Sequence, residues 1–136
     1  MTHLNPYLAF GGNCREAMTF YHACLGGDLS VQTVGESPMA AQMPEAKDQV
    51  MHAALINDNI FLYASDMLKG ETVTQGNTVS LCLNLSSEEE AHSIFSKLSD
   101  GGKVTQPLEK AFWGDTFGML IDKFGFHWMV NCSVQK

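Results

Sequence analysis

The sequence predicts an α+β fold in which two tandem βαβββ modules form a cupped, mixed/antiparallel sheet. Three observations lead there. Two amphipathic helices of similar length carry their own start and stop signals, strand candidates flank each in the same order, and the two sets repeat at a near-constant offset. Ala17, Tyr21 and Cys24 moved by 74 residues fall on Ala91, Phe95 and Leu98, and Gly26-Gly27 moved by 75 falls on Gly101-Gly102.

The first helix is expected to begin at Asn13. Asn13-Cys14-Arg15-Glu16 reads as a capping-box variant whose Asn side chain accepts from first-turn amides. Cys14, Ala17, Met18, Tyr21, Cys24 and Leu25 recur at three- and four-residue steps, which makes one buried stripe. Gly26-Gly27 ends it, because glycine takes the left-handed C′ conformation without a Cβ penalty. The second helix starts at Ser87, with Glu90 three residues on, and buries Ala91, Ile94, Phe95 and Leu98. Lys97 complements the dipole in its last turn and Gly101-Gly102 stops it.

Strand candidates precede the helices at Tyr7–Phe10 and Thr78–Asn84, and follow the glycine pairs at Leu29–Val34 and Val104–Leu108. Each half closes with a hairpin. Val50–Ile56 turns through Asn57-Asp58-Asn59 into Ile60–Ser65, and Phe117–Ile121 turns through Asp122–Gly125 into Phe126–Asn131. One domain, 1–136, therefore holds module one at about 4–66 and module two at about 77–132. Residues 36–49, with two prolines and two methionines, read as a lid or interface arm; Met39 and Met43 would make it apolar and adaptable, a disordered loop tip being the alternative. Residues 66–76 connect the halves.

Composition limits the partners. With 15 Asp plus Glu against 8 Lys plus Arg, the net charge is −7 and no basic cluster relieves it, so no nucleic-acid partner is expected. No segment approaches the roughly 20 apolar residues of a membrane span, and Met1–Pro6 lacks the basic start of a secretory signal. No membrane partner and a cytoplasmic location are the expectations. Cys14, Cys24, Cys82 and Cys132 are widely spaced, with no C-x-x-C pair, and read as reduced thiols rather than a zinc or redox site.

The motifs narrow the class further. Pro6-Tyr7-Leu8-Ala9-Phe10-x-Gly12-Asn13-Cys14-x-Glu16-Ala17-Met18-x-Phe20-Tyr21 leads into Leu25-Gly26-Gly27. Ser65-Asp66, Trp113-Gly114-Asp115-x-Phe117-Gly118 and Asp122-x-Phe124-Gly125-x-x-Trp128-Met129-Val130-Asn131 follow. Over nearly the whole chain this pattern resembles the PhnB-like branch of the vicinal oxygen chelate superfamily (glyoxalase/bleomycin resistance protein/dioxygenase). The resemblance implies the glyoxalase/bleomycin-resistance fold, a ligand pocket in the cup of the sheet, and a homodimer. In many members it also implies one divalent metal, held by His and Glu from the first and fourth strands of each module. Here Pro6 stands at the first-strand His position and Met129 or Trp128 at the last-strand Glu position, so no metal ligands are assigned and no cofactor is expected.

Site candidates come from the remaining strand residues. His52 on the third strand falls opposite Ser65 and beside Asp66; an imidazole held by a carboxylate suits a general acid or base, and equally a hydrogen bond anchoring the strand end. His52 and Asp66 are the catalytic candidates. Tyr7, Tyr63, Trp113 and Trp128 stack ligands well, though large aromatics also build cores; Ser80 and Gln106, with Asn131, could orient a carbonyl. Trp113-Gly114-Asp115 reads as the turn before the seventh strand. The leading functional expectation is a protein that binds a small organic ligand without the usual metal. The alternatives are a metal-dependent or His-based enzyme of glyoxalase or lyase type, and a non-catalytic dimeric interaction protein. The methyltransferase label attached to some of the branch finds no glycine-rich cofactor loop in a parallel-sheet setting, since Gly11-Gly12 stands alone before a helix.

Overall fold

The computed structural model describes residues 2–67 and 72–133, so the middle of the expected connection, residues 68–71, lies outside the described residues. The chain divides into two compact units, Met1–Thr74 and Gln75–Lys136.

Unit one runs β1 (Tyr7–Phe10), α1 (Cys14–Leu25), β2 (Asp28–Thr33), β3 (Val50–Asn57) and β4 (Ile60–Asp66). Its sheet has the order β1-β4-β3-β2, with β1 parallel to β4 and the other pairs antiparallel. The helix buries every residue of the expected stripe, Cys14, Ala17, Met18, Tyr21, Cys24 and Leu25. That stripe covers the sheet face carrying Leu8, Phe10, Ala53, Leu55, Leu62 and Ala64, all buried. Burial of side chains this size contributes about 1.5–3 kcal/mol each for the larger ones, which offsets the chain entropy lost in folding.

Asn13 does not cap α1. Its side chain makes no capping hydrogen bond. The carboxylate of Asp66, at the far end of β4, takes that role instead. Its Oδ1 accepts from the amides of Gly12 and Cys14, both at 3.0 Å, and its Oδ2 accepts from the Val50 amide at 2.9 Å. A local Asn competes poorly here: it offers one acceptor, whereas the carboxylate adds a full negative charge at the positive end of the helix. The other end of α1 is closed from β3, where Asn57 Nδ2 donates to the Leu25 carbonyl at 2.7 Å.

The glycine pair has a second role that periodicity does not reveal. Gly26 has a φ of 74° and ends the helix as expected. A Cβ on Gly27 would stand 2.5 Å from the Ile56 carbonyl oxygen, so the second glycine lets the turn press against β3. In the second repeat a Cβ on Gly102 would collide with the Ile121 carbonyl oxygen in the same way.

Unit two runs β5 (Leu81–Leu85), α2 (Glu88–Ser99), β6 (Lys103–Lys110), β7 (Thr116–Ile121) and β8 (His127–Cys132), with the sheet order β5-β8-β7-β6. The strand expected from Thr78 begins only at Leu81. Ser87 caps α2 through a hydrogen bond from the Glu90 amide, as the sequence indicates. Ala91, Phe95 and Leu98 are buried against Leu120, Trp128, Val130 and Cys132, while Ile94 is half-buried. Gly118 makes room for this packing, because a Cβ there would meet Phe95 Cε1 and the Leu108 backbone at 2.8 Å.

Residues 34–49 form three short 3-10 turns rather than an open lid: Val34–Glu36, Pro38–Ala40 and Pro44–Ala46. Backbone bonds from Val34 to Gln49 and from Gly35 to Lys47 close the segment at its base. Glu36 Oε1 accepts from both the amide and the hydroxyl of Thr33, at 2.9 Å each, and the amide bond first of all holds its carboxyl below the usual range. Met43 is buried with Val34 and Ala46 while Met39 stays exposed, so only one methionine of the pair is free to meet a ligand.

Replacing Asp66 by Asn removes one charged acceptor and leaves buried amides facing an amide. The expected loss is about 2–3 kcal/mol in urea unfolding. Asn13→Ala, which breaks no side-chain bond, is expected to cost under about 0.5 kcal/mol. Equal losses would return the cap to Asn13.

Candidate functional site

In each unit the helix covers one sheet face, and strand alternation sends every second side chain to the other. On unit one that open face carries Tyr7 and Tyr63, directly paired across β1 and β4. His52 lies on the same face, since Ala54, two residues away, pairs with Tyr63. The three rings touch one another. Their centroids are 6.5 Å apart for Tyr7–Tyr63, 6.1 Å for Tyr7–His52 and 5.7 Å for the stacked His52–Tyr63 pair. Gln32 pairs with His52 from β2 and is exposed, and Tyr7 keeps 54% of its surface. Two phenol hydroxyls, an imidazole and a primary amide thus border one aromatic platform.

The expected His52–Asp66 pair is not formed. Both residues sit where the hairpin register places them, but alternation puts Asp66 among Leu62 and Ala64 on the helix side, 4% exposed, while His52 points to the open side. A carboxylate that closes the start of α1 cannot also orient an imidazole on the opposite face. The same bonds occupy the amides of Gly12 and Cys14 at the start of α1.

On unit two the open face carries Cys82, Asn84, Phe117, Met119, Ile121, His127, Met129 and Asn131, by the pairing of β5, β7 and β8. Gln106 joins it from the edge strand β6, paired with Met119 and exposed. Ser80 is half-buried just before β5. Trp113 stands at the β6–β7 turn, 52% exposed, with its ring 5.7 Å from that of Phe117. The turn is closed by the Ala111 amide donating to the Asp115 carbonyl and the Gly114 amide to that of Ala111. The Asp115 side chain, which turn logic would spend on the turn itself, accepts from Asn131 Nδ2 at 3.3 Å.

Trp128 does not line an open face. It is 3% exposed beside Leu120, and its indole Nε1 donates to Asp122 Oδ2 at 2.7 Å. Asp122 Oδ1 accepts from the Phe124 and Phe126 amides, so this buried carboxylate organises the β7–β8 turn and anchors the tryptophan. Alternation explains the misplacement: Trp128 shares parity with Val130 and Cys132, both buried. Asp115, Asn84 and Gln32 escape sequence reading, because their faces emerge only once strands are paired across the repeat. The signal that could have found Asp115 was its place in the motif with Trp113 and Phe117.

The donor set does not fit a His/Glu divalent site. Among the described residues no three His, Cys, Asp or Glu side chains converge to hold a metal ion. Just before β1 and on β8, where metal ligands are expected from the resemblance, Pro6 and Met129 offer a pyrrolidine ring and a thioether, neither suited to a hard cation. The cysteines give no alternative centre. Burial above all, with the Asp66 charge, pushes the Cys14 thiol up to about 12, and burial with Glu88 and Asp115 raises that of Cys132. Cys82 alone of the four is exposed.

Comparison with known proteins decides the family. The family described as 3-demethylubiquinone-9 3-methyltransferase matches residues 2–131. The chain belongs to this PhnB-like family. Among its relatives, protein YjdN of Escherichia coli K12 is 32% identical over 143 residues, covering 98% of this chain and 97% of that protein. The crystal structure of protein PA1353 from Pseudomonas aeruginosa matches at a TM-score of 0.87 and 41% identity, over 99% and 100% of the two chains. A putative 3-demethylubiquinone-9 3-methyltransferase, PhnB protein, from Bacillus cereus matches at 0.78 and 25% identity, over 97% and 100%. A Bacillus cereus glyoxalase family protein, at 0.68 and 11% identity over 99% and 95%, shares the fold alone. No helix among the described residues is long and apolar enough to cross a membrane.

Thiol chemistry checks the burial pattern. At pH 8 a disulfide-exchange reagent should modify one cysteine per chain quickly, Cys82, and the other three only on unfolding. Cys82→Ser should abolish the fast phase; two or more fast thiols would contradict the described packing.

Proposed function

We propose that this PhnB-like protein binds a small organic ligand on the open face of its first module, against Tyr7, His52 and Tyr63. One observation carries the reading: three rings in mutual contact lie on a sheet face that their own helix does not cover, with Tyr7 more than half exposed. Exposed aromatics with polar tips give flat, low-entropy contact area together with hydrogen-bonding groups at the rim. A ligand with a planar or unsaturated portion is the natural occupant. The names of the family and of the Bacillus cereus relative, which refer to a demethylubiquinone, agree with a flat ring but lend this chain no reaction.

A second reading, catalysis of glyoxalase or lyase type, is supported by the exposed imidazole of His52 between two phenols. It has to work without Asp66, which is committed to α1. A homodimer belongs to the proposal as well: Phe112 is 98% exposed, an apolar surface that a second copy would cover.

A thermal-shift screen of planar organic acids, amides and quinones should yield ligands that raise Tm. For a ligand so found, Tyr7→Ala or Tyr63→Ala is expected to weaken binding by about 1 kcal/mol, roughly fivefold. His52→Ala separates the two readings, because turnover lost at unchanged affinity would make His52 catalytic. Unaltered affinity in both tyrosine variants would remove the site from module one. Light scattering should give twice the 14.9 kDa chain mass, and Phe112→Ser should shift it toward the monomer; a wild-type monomer would end the dimer proposal.

A further inference from the structure

The open face of module two holds a second constellation, independent of the Tyr7–His52–Tyr63 platform in its residues and in its module. Phe117 is the centre. Its cross-strand neighbours are Asn131 from β8 and Glu109 from β6, so both stand on its face of the sheet. The Trp113 ring meets it at 5.7 Å and 62°, which makes two walls of a corner. Asp115 lies between the two aromatics in the chain, and its carboxylate is held at this face by Asn131 Nδ2, which also donates to Asn84 Oδ1 at 3.4 Å.

We infer that this corner binds a small organic cation, a quaternary ammonium or protonated amine, between the Trp113 and Phe117 rings and the Asp115 carboxylate. Aromatic faces carry negative potential and attract a cation within about 6 Å of the ring centre, tryptophan most strongly. A carboxylate beside them adds direct Coulomb attraction. Both terms disfavour an anion, and a neutral apolar ligand gains nothing from the charge.

The local charge balance points the same way. Among the described residues neither Asp115 nor Glu109 forms an ion pair with a lysine or arginine. Lys110 pairs with Thr116 and so belongs to the helix side of the sheet, and Lys103 lies at the far end beside Ile121. Asn131 and Asn84 hold Asp115 in place without cancelling its charge. At long range the net charge of −7 draws cations and repels anions.

Choline and its uncharged carbon isostere, 3,3-dimethylbutan-1-ol, test the assignment on the full chain by calorimetry or ligand-observed NMR. Choline should bind saturably and the isostere should not at the same concentrations. Asp115→Asn, which keeps an acceptor for Asn131, should weaken choline about fivefold, the loss expected of one partly exposed ion contact. Trp113→Leu should weaken it by a similar factor. Tyr7→Ala should leave it unchanged, so that failure of the module-one site and failure of this one are read separately. The inference is overturned if choline does not saturate, if the isostere binds equally well, or if Asp115→Asn folds normally and binds choline undiminished. Should Asp115→Asn lose its circular dichroism, Trp113→Leu and Glu109→Gln decide: unchanged affinity in both overturns it too.

Discussion

The buried carboxylate of Asp66 ties together three pieces of chain. Its two oxygens take amides from the loop before α1, from the first turn of α1 and from the start of β3. A carboxylate this buried is costly to desolvate, and the cost is met only because every one of its donors is a backbone amide that would otherwise be orphaned. The bond to Val50 sets where β3 begins, and β3 is the strand that presents His52. The bonds to Gly12 and Cys14 set the helix against the other side of the same sheet. The open face of module one is thus defined by a residue that never reaches it.

Module two solves the same problem differently. Its helix is capped locally by Ser87, and Cys132 occupies the last residue of β8 as Asp66 does of β4. Thr116 donates to Glu88 at the start of α2, a contact with no equivalent among the described residues of the first module. The buried carboxylate has moved to Asp122, where it fixes a turn and the Trp128 indole. Two copies of one backbone plan therefore keep one buried carboxylate each, spent on different ends of the sheet. The open faces differ accordingly: stacked Tyr and His rings on one, a Trp–Phe corner with a carboxylate on the other.

This division of charge bears on function. Asp66 and Asp122, the carboxylates sequestered inside, are committed to backbone and indole donors and are poor candidates for chemistry. Asp115 and Glu109, at the open face of module two, sit beside aromatics and lack basic partners among the described residues. Proposed ligand contacts accordingly fall on the faces where desolvation is incomplete, and the motif residues Asp66 and Trp128 turn out to serve the framework.

The βαβββ order, the helix stripes, the Gly-Gly stops and the hairpin turns were legible in the sequence because each rests on local periodicity or on a backbone conformation only a few residues accept. Local counting also placed His52 level with Ser65. It could not say which end of the long-range bond network Asp66 would join, since a carboxylate at a strand end is equally able to hold a histidine or a helix 52 residues away. The face of Trp128, the cap of α1, the second task of Gly27 and the partnership of Asp115 with Asn131 were decided by strand pairing and close approach. Those are tertiary facts: a side chain's period tells which neighbours share its face, and only packing tells which face the helix will cover.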